Sequence, residues 1–370
     1  MALTFPDKQV GLVAPEVARV FRTLKHLPDN WKVWHRLTPW EAEAPDFLVL
    51  DDRGRALLMV VSTATPQQAQ STPQMRLLGL EIERQIPGQA EEHVLGNFLE
   101  QIRAAGVPAG AVHGAVVFPN LTEKELQIVQ QAEGAPSHLW LDKAWVGEKD
   151  TATWAGIFPD VTLDASARHI LRRQFAPEVV VPASFVARVP QTRKIAAGLG
   201  DYLLDYDQEH VLKSDLDLDT EGEQLSRDFR VQIVNGVTGS GKTLILLYRL
   251  RLLHALFPHK RFLVLTHNRP LIRDMQARFR NLQAEQTGRI DWYTFNAWCR
   301  KHWPESVQPW HDPISDRRRT SLVREVQEAY LADSKVSAGE FRSELEWVKD
   351  NGITTREGYL EASRRGRGFR

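Results

Sequence analysis

The chain has 370 residues, and its 47 lysines and arginines are balanced by 47 aspartates and glutamates, so the formal net charge is zero. This balance excludes a uniformly basic nucleic-acid-binding protein, and any such surface has to be local. A single cysteine, Cys299, excludes a disulfide framework and a cysteine-rich zinc site. No apolar run is long enough to cross a bilayer, and the first residues do not resemble a secretory signal. We therefore expect a soluble, cytoplasmic protein with no membrane partner and room for two domains.

The first part of the chain alternates helical and strand patterns, which predicts an α/β domain. Apolar residues recur at helical spacing or in short buried runs, with turn residues between them. Helices are predicted at residues 15–27, 90–105 and 122–132, and strands at 31–36, 47–50, 56–61, 114–118 and 138–141. Asp51 and Asp52 follow an apolar strand, as the magnesium-binding acids of nucleotide hydrolases do. Because Arg53 and Gly54 come next, we interpret them as a hairpin turn.

The second part repeats the order strand, loop, helix. Strands are predicted at residues 229–234, 261–266 and 290–295, and helices at 242–257 and 270–282. Strands that alternate with helices indicate a parallel sheet covered on both faces. The tail from residue 315 reads as helical, with basic patches. We place the main domain boundary between about residues 160 and 190, with 182–190 as a possible connector.

Residues 236–243 read GVTGSGKT and fit the phosphate-binding pattern GxxxxGK[ST]. Glycines let backbone N–H groups approach phosphate oxygens, and the following helix adds the positive end of its dipole. Lys242 should reach the β- and γ-phosphates, and the hydroxyl of Thr243 should bind Mg²⁺. A glycine-rich turn without a ligand is the alternative, but the motif follows an apolar strand and opens an apolar helix, as a P-loop requires. The predicted phosphate-binding residues are Gly236, Val237, Thr238, Gly239, Ser240, Gly241, Lys242 and Thr243.

Three segments of this half resemble the first part of superfamily 1 helicases of the UvrD/Rep type: VNGVTGSGKTLILLYRLRLL, FLVLTHNRPLIRDMQARF and IDWYTFNAWC. The resemblance implies a RecA-like P-loop lobe over residues 166–300, with ATP and Mg²⁺ as cofactors. It also implies an ATP-dependent 3′–5′ DNA helicase, whose family context is DNA repair. Upstream, LDYDQE resembles the Q motif, whose glutamine reads the adenine edge in that family, and this glutamine falls on Gln208. A glutamine amide offers one donor group and one acceptor, which suits that edge.

The same resemblance implies contacts to single-stranded or junction DNA at the ends of two strands. It assigns these contacts to Thr266, His267, Asn268, Thr294 and Phe295. Asn268 would also serve as a helix cap ahead of Pro270, which leaves His267 unexplained by capping. The family's histidine after Phe295 is Asn296 here, which weakens that position. Phe295 and Trp298 could stack on bases or belong to the core.

Residues 341–370 resemble the stretch that precedes motif II in the same family. A DExx-type motif II and a second RecA-like lobe do not follow within the 370 residues. We therefore expect a helical segment, 301–370, truncated before motif II, and a C-terminal helicase lobe missing here and supplied in cis or in trans. One lobe should bind ATP weakly and should not unwind DNA by itself. The alternative is a truncated remnant that binds nucleotide or DNA without turnover.

The front half, residues 1–165, resembles a NERD (nuclease-related) domain, which implies a restriction-endonuclease-like α/β fold. The resemblance rests on PEVARVFRTLKHLPDNWKVW, APDFLVLDDRGRALLMVV and GAVVFPN. Asp46 matches the first metal-binding acid and Glu16 the helix acid. Where that class needs E-x-K, the chain has Val60-Val61-Ser62, which supplies neither a metal ligand nor a cation. We predict an inactive nuclease fold, and a working metal-dependent nuclease is the alternative.

Two short basic runs, residues 317–319 and 364–367, lie in the tail. They could follow a phosphate backbone or form a solvated helix face and chain end. The twelve histidines have no spacing typical of a zinc site.

Overall fold

The computed structural model describes residues 1–8, 13–37, 43–77, 86–182, 201–216, 231–282, 289–304, 315–330 and 336–362. The chain divides into two compact units, Met1–Phe295 and Asn296–Arg370. Within the described ranges, no helix is both long enough and apolar enough to cross a membrane.

A mixed sheet organises the front of the first unit, and its strands lie side by side in chain order. The described strands are β1 (Leu3–Phe5), β2 (Lys32–His35), β3 (Phe47–Leu50), β4 (Ala56–Val61), β5 (Val112–Val117) and β6 (Leu139–Leu141). Strands β2, β3 and β4 pair antiparallel, whereas β1 with β2, β4 with β5 and β5 with β6 pair parallel. The five strands and the hairpin turn predicted in this half are confirmed, and Asp51 holds the turn through bonds from the backbone and side-chain nitrogens of Arg55.

Helices cover both faces of this sheet. They are α1 (Pro15–Lys25), α2 (Pro66–Leu77), α3 (Gln89–Ala104), α4 (Glu123–Glu133), α5 (Thr151–Ala155) and α6 (Ala165–Phe175), with 3₁₀ turns at Lys143–Gly147 and Pro177–Val179. Along β3, Phe47 packs in the core on the α1 side and Leu48 packs in the core on the α3 side. Because both faces are buried, β3 and β4 read as continuous apolar runs rather than as alternating ones.

The second half of the first unit contains the segment with the phosphate-binding pattern. Its elements are β7 (Val180–Val181), β8 (Tyr202–Leu203), α7 (Tyr206–Lys213), α8 (Lys242–Leu256), β9 (Arg261–Thr266), α9 (Arg269–Leu282) and β10 (Arg289–Thr294). Strands β9 and β10 pair parallel along their whole length, with Thr266 opposite Thr294. Both helices predicted here, and two of the three strands, are confirmed.

The prediction of a strand at residues 229–234 is wrong for the residues that the structure describes. Residues 231–234 form no strand, and Val231 and Ile233 are 65% and 75% exposed. A strand persists only where a neighbouring strand takes up its backbone hydrogen bonds, and none of the described strands pairs with this segment. Residues 229–230, and 183–190 of the predicted connector, lie outside the described residues.

The prediction that helices cover both faces of the parallel sheet is also wrong for β9. Val264 is buried in a core with Ile272 and Met275 of α9. On the opposite face, Leu263 and Leu265 are 45% and 37% exposed. The apolar pattern therefore predicted the strand correctly but not the environment of both its faces.

The second unit is helical in its described part. Its helices are α10 (Phe295–Lys301, which starts on the last residue of the first unit), α11 (Asp316–Tyr330), α12 (Ala338–Asp350) and α13 (Arg356–Glu361). In the first basic run, Arg318 pairs with Glu325 and Arg319 with Asp316, all on α11. That run thus lies on a solvated helix with its own acidic partners. The second run, 364–367, lies outside the described residues.

Candidate nucleotide-binding site

The loop of residues 236–241, which we call the phosphate loop after its sequence pattern, folds into a compact turn at the start of α8. Gly239 and Gly241 have φ angles of +88° and +84°, a backbone region that side chains disfavour. The N–H of Ser240 donates to the carbonyl of Val237 at 3.2 Å, and Gly241 precedes the first residue of α8. A methyl group added at Gly236 would lie 2.6 Å from the hydroxyl oxygen of Ser240, so this side chain would have to rotate to accept a larger residue there. The pattern of glycines thus has a conformational explanation at Gly239 and Gly241.

Lys242 closes this loop into a ring. Its ammonium nitrogen donates to the carbonyl oxygens of Gly236 and Val237, both at 2.7 Å, while its side chain stays exposed to solvent. The same cation stands at the first residue of a 15-residue helix, whose unpaired N–H groups favour an anion. An ammonium group, a helix start and a tight glycine turn at one exposed place form an arrangement suited to phosphate.

Thr243 is the second residue of α8 and is exposed. Its hydroxyl is the hard oxygen ligand that the motif offers to Mg²⁺. No group of three or more histidine, cysteine or acidic side chains in the described part of the chain could hold a metal ion. The Thr243 hydroxyl would fit a metal ion whose other ligands are phosphate oxygens.

Gln208 lies beside this loop, on the first turn of α7. Its amide nitrogen would be 3.2 Å from a methyl group added at Gly241. Its amide oxygen accepts a bond from the N–H of Asp205 at 3.2 Å, and the Asp205 carboxylate accepts one from the N–H of Gln208 at 2.7 Å. This capping box fixes the start of α7. Gln208 therefore has a structural role as well as the position expected of a nucleotide contact.

Arg249 ties the two helices of the site together, a role that the sequence did not predict. Its guanidinium, on α8, donates to the carbonyls of Leu212 and Ser214 at 2.9 and 2.6 Å. These carbonyls belong to the end of α7, which lacks helical donors for its last turn. The helix that starts at the phosphate loop and the helix that carries Gln208 are thus joined directly.

The residues expected to contact DNA meet at one edge of the parallel pair. Because Thr266 and Thr294 are in register, the next residues, His267 and Phe295, also meet. Their ring centres are 5.8 Å apart at an interplanar angle of 51°, and both side chains are exposed. Two segments far apart in the sequence therefore form a single aromatic surface.

Asn268 acts as a helix cap, which was one of its two expected roles. Its side-chain oxygen accepts a bond from the N–H of Leu271 at 3.4 Å, and its carbonyl accepts one from the N–H of Ile272 at 3.1 Å. The hydroxyl of Thr266 donates to the same carbonyl at 3.0 Å. Trp298 lies in the second unit, with its ring 5.2 Å from that of His302. Asn268 and Thr266 are therefore partly committed to local structure, whereas His267 is not explained by capping.

The two acids of the nuclease-like motif, Asp46 and Glu16, have separate hydrogen-bond partners. The carboxylate of Asp46 accepts a bond from the N–H of Val61 at 2.7 Å, and desolvation raises the pKa of Asp46 to about 6. Separately, the side-chain amide of Asn120 donates to Glu16 at 3.1 Å and lowers its pKa, and Arg19 bonds to both residues.

The positions where an E-x-K motif would fall carry no such chemistry. Val60 and Val61 are buried among apolar neighbours, and the hydroxyl of Ser62 accepts a bond from the N–H of Ala64 at 3.2 Å. Asp46 therefore faces a backbone amide rather than a second metal ligand on β4.

Residues 202–303 match the family model of the type III restriction enzyme, res subunit. The matched segment contains Gln208, the phosphate loop and both strand ends, and it is less than a third of the chain. The match supports a helicase-family P-loop fold and suggests ATP-dependent activity on nucleic acid. No curated protein and no solved structure matches the chain.

Proposed function

We propose that the segment around residues 236–243 binds ATP with Mg²⁺ as the nucleotide-binding lobe of an ATP-dependent 3′–5′ DNA helicase of the UvrD/Rep type. The observation that carries the proposal is the ring closed by Lys242, whose ammonium nitrogen lies 2.7 Å from two loop carbonyls at the start of α8. Oxygens of a triphosphate would replace these two carbonyls as acceptors for the Lys242 ammonium group. They would also accept hydrogen bonds from the N–H groups at the start of α8. Thr243 would add its hydroxyl to the metal.

Gln208 is proposed to recognise the adenine base. Its amide nitrogen lies beside Gly241, so a base held there would be continuous with phosphates held by the loop. The amide oxygen already accepts a hydrogen bond from the backbone N–H of Asp205, so the amide group has a fixed orientation at the site.

Single-stranded DNA is proposed to run along the edge where β9 and β10 end. His267 and Phe295 offer exposed rings on which bases can stack. Ligands of parallel α/β sheets bind outside the carboxyl ends of the strands, which is where these residues lie.

The front domain is proposed to be a nuclease fold without nuclease activity. Asp46 directly precedes β3, and it is bonded to the amide of Val61 on β4, where a second metal-binding acid would be needed. The observations favour a supporting role for this domain over the alternative of a metal-dependent nuclease.

The test is a titration of the full chain with a fluorescent ATP analogue and Mg²⁺. Lys242→Ala removes the ammonium group and should weaken binding at least about tenfold, the loss typical of a charged hydrogen-bonding partner. Lys260→Ala, in the turn that follows α8, makes the same substitution outside the loop and should bind as the wild type does.

Equal affinity in Lys242→Ala and wild type would refute the assignment of the loop.

A further inference from the structure

Four charged side chains are buried together beside α7. They are Arg172 of α6, Glu178 of the 3₁₀ turn that follows it, and Glu209 and Lys213 of α7. Lys213 lies 2.5 Å from a carboxylate oxygen of Glu178 and 2.6 Å from one of Glu209. Arg172 donates to the other carboxylate oxygen of Glu209 through two guanidinium nitrogens, one at 3.0 Å. Two positive and two negative groups are thus paired with one another.

This ion cluster is joined to the front sheet through Trp34 of β2. The indole N–H of Trp34 donates to Glu209 at 3.2 Å, across 175 positions of sequence. The Trp34 ring is fully buried, stacked on Phe5 at 5.1 Å and tilted against Tyr206, the first residue of α7, at 6.0 Å. The front sheet therefore contacts α7 both by a hydrogen bond and by ring packing.

The same cluster also fixes the turn that leads into α7. Arg172 donates to the carbonyl of Leu204 at 2.6 Å, and the next residue, Asp205, caps the helix. At the other end, Arg249 of the phosphate-loop helix holds the last carbonyls of α7. This eight-residue helix is consequently held at both ends.

Glu209 directly follows Gln208 on α7, so the contacts that place this turn of the helix on the front sheet also place the backbone of Gln208 near Gly241. Buried ion clusters contribute little net stability compared with apolar packing, and their best-attested use is to specify one arrangement over others. A cluster at this place specifies where α7 sits on the front sheet.

We propose that Trp34 and Arg172, acting through Glu209, are positioning residues that hold Gln208 against the phosphate loop and so set the preference for adenine over other bases. The inference rests on the proposed nucleotide site. It gives the front domain a role in base selection that does not require nuclease chemistry.

The experiment measures base selectivity, which a purely structural effect would not change. ATP, GTP and inorganic tripolyphosphate are each used to displace a fluorescent ATP analogue from the full chain. Trp34→Phe removes the indole N–H and keeps an aromatic ring, while Arg172→Lys keeps the buried charge but not the paired donors. Either variant should lower the ATP-to-GTP preference by about 3- to 10-fold, the effect of one hydrogen bond, and leave tripolyphosphate affinity unchanged.

Two controls bracket these variants. Trp31→Phe is the same substitution at another buried tryptophan of the front domain, packed edge-on against Phe158, and should keep the wild-type preference. Gln208→Ala should abolish the preference and set the lower limit.

The proposal is overturned if Trp34→Phe and Arg172→Lys both keep the wild-type preference, or if they weaken all three ligands equally. It is also overturned if the wild type binds tripolyphosphate well but shows no preference for ATP, a result that leaves the phosphate loop standing. If the wild type binds none of the three ligands, or if Lys242→Ala leaves tripolyphosphate binding intact, the nucleotide site itself is wrong and the inference falls with it.

Discussion

Asp46 illustrates how much of a residue's chemistry depends on its surroundings. The resemblance to a nuclease-related domain implies a metal-binding acid at Asp46, and in the structure this residue directly precedes β3. Its partner is the N–H of Val61, and desolvation raises its pKa from 3.8 to about 6. The folded state therefore binds a proton at Asp46 more tightly than the unfolded state does.

This shift predicts a pH-dependent effect of Asp46→Asn. The stability contributed by the protonated carboxyl is complete below about pH 4 and is lost as the pH rises through 6, so ionised Asp46 destabilises the fold at neutral pH. Because the side chain is only partly buried, we expect Asp46→Asn to stabilise the protein by about 1–2 kcal/mol at pH 7.5 and to have little effect near pH 4. Urea unfolding at the two pH values measures the difference.

The matched control for this experiment is Asp52→Asn, an exposed aspartate of the nearby hairpin turn, which should change little at either pH. A loss of stability in Asp46→Asn at pH 7.5 would mean that the ionised carboxylate makes a favourable interaction, as a metal-binding or catalytic acid would.

At the nucleotide site, too, the sequence predicts some residue roles from local patterns, while other roles depend on contacts with distant residues. The spacing of the glycines and Lys242 is local information, so the loop was predictable from the sequence. The capping role of Gln208 follows a local pattern too, since an aspartate three residues before a glutamine is a helix-start signal. The roles of Arg249 and Trp34 were not predictable, because their partners are 37 and 175 positions away.

At the scale of single elements, strong patterns were predicted well and weak ones were missed. Helices α1, α3, α4 and α9 carry apolar stripes, and α8 is an apolar run that follows the glycine pattern. All five were predicted within a few residues. Strand β1 has three residues and exists through its pairing with β2. Helix α2 contains Pro73 and has no apolar stripe. β1 and α2 were missed because tertiary contacts determine them, and a local sequence pattern does not show such contacts.

The connection between the loop and α8 depends on Gly241, which predicts the effect of Gly241→Ala. Its φ of +84° penalises any side chain by about 1–2 kcal/mol, and the new methyl group would lie 3.2 Å from the Gln208 amide. We expect a stability loss of that size together with weaker ATP binding. Thermal unfolding and the fluorescent-nucleotide titration measure the two effects separately.

Gly110→Ala separates strain from contact. Gly110 has a φ of +73°, and a methyl group there would meet no atom within 4 Å. It should show a similar stability loss with unchanged ATP binding. Wild-type ATP affinity in Gly241→Ala would mean that Gln208 and the loop do not have to be adjacent.

For the whole molecule, the front sheet and the start of the helicase-like segment belong to one compact unit, Met1–Phe295. The ion cluster around Glu209 is one of the contacts that join them. The sequence predicted an α/β fold in both parts, but it offered no signal for this contact, because buried ion clusters form between residues distant in the chain. The family match covers residues 202–303, so it begins at β8 and includes α7 but not the front sheet.

The most direct test of the account is hydrogen–deuterium exchange of the backbone amides in residues 236–243, with and without ATP and Mg²⁺. If these amides and Lys242 hold the triphosphate, exchange in the loop and at the start of α8 slows on nucleotide addition, and Lys242→Ala loses most of the slowing. Unchanged exchange in this loop at millimolar ATP, or slowing confined to other parts of the chain, would contradict the account.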